Sequence, residues 1–95
     1  MANYATNIFH ATTANKQDLD KIEDFLDKTF DSFVNRYVDG IDAEFYSRWV
    51  YPEEEMNNLV ASLEAKDEIY IRVLTHENEY VSFRTFSQGT WNIKL

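Results

Sequence analysis

Few side chains in this sequence have the types and spacing that catalysis or metal binding requires. The two histidines, His10 and His76, show no metal-ligand spacing such as His-x-x-x-His, so both are expected to be solvated or capping residues. The acidic run 53–55, together with Asp39 and Asp42, could offer oxygen ligands to a hard cation, but no EF-hand spacing is present. Such a run is more typical of charge compensation in the first turn of a helix.

Nucleophilic catalysis has no recognisable motif here either. The chain contains no cysteine and no Gly-x-Ser-x-Gly sequence, and its two glycines cannot form a Gly-rich phosphate loop. Seventeen acids make chance pairs of carboxylates unavoidable, so a pair does not by itself indicate acid–base catalysis. The sequence therefore predicts a protein that is not an enzyme and that uses no metal or other cofactor.

The composition is typical of a single folded domain spanning residues 1–95. Apolar residues make up 44% of the chain and aromatic residues 16%, which is enough to build a core. The lack of cysteine, of a signal-like start and of long apolar stretches predicts a cytoplasmic protein that does not enter a membrane. The net charge of −8 repels phosphate, so no direct binding of nucleic acid or anionic lipid is expected.

Two apolar stripes predict two helices. The first helix begins after the N-cap Asn15 and is expected to run to Asp39-Gly40, where glycine suits a C-cap. Its stripe has spacings of three and four: Leu19, Ile22, Leu26, Phe30, Phe33 and Tyr37. The second helix is predicted to begin at Pro52, with the acidic run 53–55 in its first turn. Its stripe consists of Met56, Leu59, Val60 and Leu63.

Alternation of apolar residues predicts four strands, at residues 4–12, 44–51, 69–75 and 80–87. A last short strand through Trp91, Ile93 and Leu95 would extend them to five. The element order is then β-α-β-α-β-β with a further β. It predicts an α+β protein with a ferredoxin-like fold, in which two helices pack on one face of a mostly antiparallel sheet of four to five strands. An α+β sheet with a different strand order is the alternative.

One stretch carries a family resemblance. The sequence from Ser47 to Pro52, the following helix with Leu59 and Leu63, and the hairpin ending at Gln88-Gly89 resemble the YubB-type ferredoxin-like domain of small plasmid- and phage-borne proteins. The resemblance covers residues 45–89 and rests most on Trp49 and Pro52. It implies the ferredoxin-like fold and an origin in a phage or plasmid, and it implies no catalytic residues.

Strand periodicity also predicts which side chains face away from the helices. If Ile71, Val73, Phe45, Trp49, Val81 and Phe83 face the core, three of the four arginines share the other face of the sheet with several aromatic residues. These predicted interaction residues are Tyr46, Arg48, Tyr70, Arg72, Tyr80, Arg84 and Phe86. The outside of the first helix is predicted to carry an acidic stripe of Asp20, Asp24, Asp27 and Asp31.

Two functions follow from these surfaces. An uncovered face rich in tyrosine and arginine favours a protein-interaction module, most simply a homodimer formed through the sheet. The alternative is an acidic inhibitor from a mobile element, which mimics nucleic acid and occupies a basic groove of a nucleic-acid-handling protein. Both hypotheses take a protein as the partner, either a second copy or a different chain.

Overall fold

A computed structural model describes residues 4–94 of the protein. It has two helices and a six-stranded sheet. In chain order the elements are β1 (Tyr4–Thr12), α1 (Lys16–Thr29), β2 (Ser32–Arg36), β3 (Gly40–Arg48), α2 (Glu53–Ala61), β4 (Tyr70–Glu77), β5 (Tyr80–Ser87) and β6 (Thr90–Lys94). Between residues 4 and 94, neither helix is long and apolar enough to cross a membrane.

The sheet is antiparallel throughout, with the strand order β2-β3-β1-β4-β5-β6. The predicted α+β class agrees with this arrangement, but the predicted ferredoxin-like order β-α-β-α-β-β with four to five strands is wrong. The observed order is β-α-β-β-α-β-β-β, because an extra strand, β2, lies where the first helix was predicted to continue. Leu95 of the predicted last strand lies outside the described residues.

The first helix ends at Thr29 because its last turn is capped and the chain then becomes extended. The N–H of Phe30 and the hydroxyl of Ser32 both donate to the carbonyl of Leu26. Phe30 then stacks on Phe45 of β3, with ring centroids 4.5 Å apart, which fixes the direction in which the chain leaves the helix. Phe33 was in phase with the helical stripe only by coincidence, and it lies instead in a strand.

Asp39 and Gly40 lie at the turn of the hairpin formed by β2 and β3, and not at the end of a helix. The N–H of Tyr37 donates to the carbonyl of Gly40 at 2.8 Å, which closes the turn between β2 and β3. A Cβ atom at position 40 would lie 2.9 Å from the carbonyl oxygen of Ala11 on the neighbouring strand. Glycine is therefore needed here for the close approach of two strands.

The core lies between the helices and one face of the sheet. Leu19, Ile22 and Leu26 of α1 and Met56 and Leu59 of α2 are buried. The sheet contributes alternate residues, chiefly Phe9, Ile41, Phe45, Ile71, Val73 and Phe86. Both helices therefore cover the same face, and the other face of the sheet has no helix on it among the described residues.

The three central strands are also joined by a buried polar network centred on Asn7 of β1. The Asn7 side chain accepts a hydrogen bond from the Thr75 hydroxyl at 2.7 Å and donates to Ser47 Oγ at 2.8 Å. Ser47 in turn donates to the carbonyl of Val50, just before α2. Every member of the network has a partner, so it ties β1, β3 and β4 together beneath the uncovered face.

Candidate functional site

The uncovered face of the sheet, called the open face below, exposes apolar side chains in the middle of the molecule. Ile8 is 45% exposed, Phe33 70% and Val81 58%, while Leu74 and Phe83 are half-buried. Large apolar side chains gathered on one face of a monomer often mark a docking surface, although here Glu44 separates Phe33 from Ile8. The open face is therefore the candidate functional site.

The strand register aligns these residues in a row that crosses the sheet. Phe33 lies opposite Glu44, Glu44 opposite Ile8, Ile8 opposite Leu74, and Leu74 opposite Phe83. We call this set the apolar row. Its one charged member, Glu44, is bound by the hydroxyl of Tyr46, which donates to Glu44 Oε2 at 2.8 Å. Because that bond runs along the strand, it draws the carboxylate away from the row.

A second row runs parallel to the first, one step along the strands. This charged row consists of Asn35, Asp42, His10, Arg72 and Thr85, again in strand order. A shallow depression of about 210 Å³ lies between the two rows and is lined by residues of both, including Ile8, Phe33, Asp42 and Arg72. An apolar strip bordered by separated positive and negative charges is typical of a protein-recognition surface.

The charges of this row are held by hydrogen bonds. His10 Nδ1 lies 2.5 Å from Asp42 Oδ1 and donates to it. This bond to His10 is the main reason that the pKa of Asp42 is lowered, with smaller contributions from Tyr37 and the positive charge of Arg72. Between residues 4 and 94, no carboxylate lies within ion-pair distance of Arg72. Arg72 thus presents a positive charge that is available to a partner.

Thr12, His10 and Asp42 follow the order of groups in a nucleophilic triad. The Thr12 hydroxyl lies 2.9 Å from His10 Nε2, which accepts from it when Nδ1 carries the proton. A nucleophile, however, must face the space that a substrate occupies. The depression on this face is lined by His10 and Asp42 but not by Thr12. We therefore interpret these bonds as fixing the positions of His10 and Asp42. In the part of the chain that the structure describes, no cluster of three or more histidine or acidic side chains is placed to hold a metal ion.

The structure divides the predicted interaction residues between the two faces. Tyr46, Arg48, Tyr70 and Arg72 lie on the open face, as predicted. Tyr80, Arg84 and Phe86 lie on the helix side, so their predicted placement is wrong. Their register explains it: Arg84 pairs with Val73 and Phe86 with Ile71, and partners across antiparallel strands share a face.

Trp49 was expected to face the core, and it is exposed instead. Its φ of +73° turns the chain, so the alternation of β3 stops at Arg48. Tyr51 becomes the buried aromatic residue of this segment. The predicted strand 44–51 is therefore shifted towards the N-terminus in the structure, to Gly40–Arg48.

The acidic stripe is shorter than predicted and partly neutralised. Asp20, Asp24 and Asp27 lie on α1, but Asp31 lies beyond its end. Arg36 contacts both Asp20 and Glu23 at 2.9 Å, and Lys28 contacts Asp24 at 3.1 Å. The outer face of α1 is thus a surface of mixed charge.

Comparisons with known proteins give no match: no family model, no curated protein and no solved structure is significantly similar to this chain. The function is therefore argued from the geometry of the open face.

Proposed function

We propose that this protein is an interaction module that forms a homodimer through its open face, with the two sheets packed face to face. The proposal rests mainly on two pairs of residues that lie at equal distances on opposite sides of the central strand β1: Phe33 with Phe83 in the apolar row, and Asp42 with Arg72 in the charged row. A two-fold dimer needs a self-complementary surface, because each residue meets its counterpart across the axis. A two-fold axis parallel to β1 satisfies this requirement.

The apolar row supports this axis. Ile8 lies on β1, and Phe33 and Phe83 lie two strands away on opposite sides. A two-fold rotation about an axis parallel to β1, in front of the open face, therefore places Ile8 on Ile8 and Phe33 on Phe83 of the second copy. It also places Glu44 near Leu74 of the second copy, where the bond from the Tyr46 hydroxyl must hold the carboxylate to one side. The apolar side chains that meet in this way are removed from water. Burial of apolar surface is the main favourable contribution to the free energy of association.

The charged row supports the same axis independently. Asp42 lies one strand to one side of β1 and Arg72 one strand to the other. The rotation that superposes the apolar rows therefore places Asp42 opposite Arg72 of the second copy, twice per dimer. Opposite charges in matching positions fix the register of an interface and disfavour other partners.

The size of the face is also adequate. Five strands overlap when the axis lies on β1, and at about 4.8 Å per strand and about 3.3 Å per residue over about eight residues they cover roughly 600 Å² per copy. The total of roughly 1,200 Å² reaches the lower limit of stable interfaces. β6 lies outside the contact with the second copy. A substitution on β6 can therefore serve as a control for one inside the contact.

We infer that the dimer acts in the cytoplasm and without catalysis. The resemblance of residues 45–89 to the YubB-type group supports an origin in a phage or plasmid, but the strand order contradicts the ferredoxin-like fold of that group. The alternative function, an acidic mimic of nucleic acid, receives less support. It needs a continuous negative stripe, whereas Arg36 and Lys28 neutralise part of the α1 surface. Dimer formation through the open face is better supported, because the apolar row and the charged row both favour the same two-fold axis.

The test reverses one charge at the predicted contact and one outside it. Arg72→Glu brings the introduced glutamate against Asp42 twice, so we expect the dimer dissociation constant to rise about ten- to a hundredfold. Lys94→Glu makes the same charge change on the same face but on β6, and it should leave the constant nearly unchanged. Light scattering over a concentration series measures both. Equal effects of the two variants, or a wild-type protein that stays monomeric at high concentration, would contradict the proposal.

A further inference from the structure

His10 lies on the strand that the proposed two-fold axis follows. It is half-buried on the open face, in the middle of the charged row. An axis parallel to β1 keeps each residue of β1 at the same position along the strand. The rotation that places Ile8 on Ile8 therefore also places His10 on His10 of the second copy. The dimer thus brings two histidines together, and histidine is the side chain that changes its charge between about pH 5 and 8.

Both ring nitrogens of His10 have partners within the single chain. Nδ1 donates to Asp42 Oδ1 at 2.5 Å, and Nε2 lies 2.9 Å from the Thr12 hydroxyl, which donates to it when His10 is neutral. Protonation of Nε2 turns this nitrogen into a donor, and the Thr12 hydroxyl can rotate to accept from it. Protonated His10 keeps both hydrogen bonds, so the single chain accommodates the charge without a change of fold.

The other ionisable groups around His10 keep their charge when the pH falls from about 7.5 to about 5.5. On β3, Asp42 stays negative because the hydrogen bond from His10 lowers its pKa, and on β4 Arg72 stays positive. Tyr37, in the turn before β3, stays neutral because its hydrogen bond to Asp42 raises its pKa. Carboxylates and tyrosines ordinarily titrate outside this range, which also covers the next ionisable groups along the strands, Glu44 and Tyr70.

In the dimer the second copy adds three ionisable groups around each His10. Asp42 and Arg72 of the second copy lie one strand away from the axis on opposite sides, so their effects on a charged His10 largely cancel. The third group is His10 of the second copy, directly across the axis. Two imidazolium groups that meet at an interface repel each other, because little water or salt lies between them to screen the charges.

We propose that His10 makes the dimer sensitive to pH, so that protonation of both histidines in mildly acidic solution separates the two copies. This pH sensitivity rests on the proposed function, because the two histidines meet only in the dimer. Its direction is opposite to the effect of the net charge. Each chain carries −8 at pH 7, and acidification reduces this charge, which by itself would strengthen association. A dimer that weakens as the pH falls therefore identifies a specific group within the interface.

Sedimentation equilibrium of the full chain at about pH 7.5 and about pH 5.5, at one ionic strength, measures the effect. We expect the dimer dissociation constant of the wild type to rise at least about tenfold at the lower pH. His76→Gln is the matched control, because His76 is the other histidine of the chain and lies on the same face, opposite Thr6. The rotation places His76 near Tyr46 of the second copy and not near a second histidine, so this variant should keep the wild-type ratio of the two constants.

Two substitutions of His10 imitate its two charge states. His10→Gln is neutral at both pH values and can still donate to Asp42, so its two dissociation constants should agree within about threefold. His10→Lys is positive at both pH values, so its dissociation constant should be high at both. Circular dichroism at each pH checks that the variants are folded.

Three results would overturn the pH sensitivity and leave the dimer intact. They are a wild-type dissociation constant that does not rise at the lower pH, a His10→Gln variant that keeps the wild-type ratio, and a His10→Lys variant that associates as tightly as the wild type at about pH 7.5. A wild-type protein that is monomeric at both pH values would contradict the dimer and the pH sensitivity together.

Discussion

Replacing Ile8 by lysine is expected to raise the dissociation constant of the proposed dimer by about a hundredfold or more. Ile8 lies on the strand that the two-fold axis follows, so the substitution removes two isoleucine side chains from the interface and brings two ammonium groups together. Burial of an isoleucine contributes about 1.5 kcal/mol or more, so the loss for two copies is at least about 3 kcal/mol, which corresponds to roughly a hundredfold. Glu44 lies opposite Ile8 on β3 and can form an ion pair with the introduced lysine in the monomer. The variant should therefore still fold.

The matched control is Val50→Lys. Val50 is 54% exposed, close to the exposure of Ile8, but it lies in the connection between β3 and α2. It should leave the dissociation constant within about twofold of the wild-type value. Sedimentation equilibrium measures both variants, and circular dichroism checks that each is folded. If Ile8→Lys associates as tightly as Val50→Lys, the open face is not the interface.

Replacing Asp18 by alanine is expected to lower the free energy of unfolding by about 3 kcal/mol. Asp18 is fully buried in the first turn of α1, and its two carboxylate oxygens accept from the backbone N–H groups of Glu64 and Ala65 at 2.8 and 2.9 Å. Alanine leaves both N–H groups without their acceptor, and each loss costs about 1–3 kcal/mol when the group cannot reach water. The segment after α2 also loses its attachment to α1.

Asp27→Ala provides the comparison on the same helix. Asp27 is exposed and is absent from the ion pairs of the described residues, so its replacement should change the free energy of unfolding by less than about 0.5 kcal/mol. The helix dipole favours the carboxylate of Asp18 in the first turn and disfavours that of Asp27 in the last turn, so about 1 kcal/mol of the difference between the variants is expected from the dipole alone. Urea denaturation at one fixed protein concentration measures the difference. Equal midpoints for the two variants would show that the buried carboxylate does not hold the segment after α2.

Some elements could be predicted from sequence because a local signal determined both of their ends. β1 and β5 have the predicted bounds, and α2 begins directly after Pro52 with three acids in its first turn. The first helix was predicted too long because Phe33 and Tyr37 continued its apolar spacing. Only the contact of Phe30 with Phe45 and the capping by Ser32 end the helix at Thr29, and contacts between distant residues are not visible in a local pattern.

The faces of β5 were predicted wrongly although the sequence held the information. The turn between β4 and β5 has two residues, so Glu77 pairs with Tyr80 and each odd-numbered residue of β4 faces an even-numbered residue of β5. Once Ile71 and Val73 are assigned to the core, that parity requires Ser82 and Phe86 to join them. The apolar character of Val81 and Phe83 suggested the opposite. These residues are apolar because they belong to the open face.

The two rows could not be predicted at all. Each row is assembled from five strands, and its alignment depends on a register between β1, β3 and β4 that only the folded sheet defines. His10 and Asp42 are 32 residues apart in sequence, so their bond left no local signal. The contact of His10 with Thr12 could have been predicted, because residues two apart on a strand lie on the same face.

The most direct test of the proposed two-fold axis is to mix two variants that should each fail to dimerise. In Arg72→Glu the introduced glutamate meets Asp42 of the second copy, and in Asp42→Lys the introduced lysine meets Arg72 of the second copy, so each variant alone brings like charges together twice. In the mixed pair, Asp42 of one chain meets Arg72 of the other, and the introduced glutamate meets the introduced lysine. At a protein concentration between the dissociation constants of the wild type and of the single variants, light scattering of the separate and mixed proteins should therefore show two monomers that combine into a heterodimer. Masses that remain monomeric on mixing, while the wild-type protein is dimeric, would contradict the placement of Asp42 opposite Arg72 and with it the axis along β1.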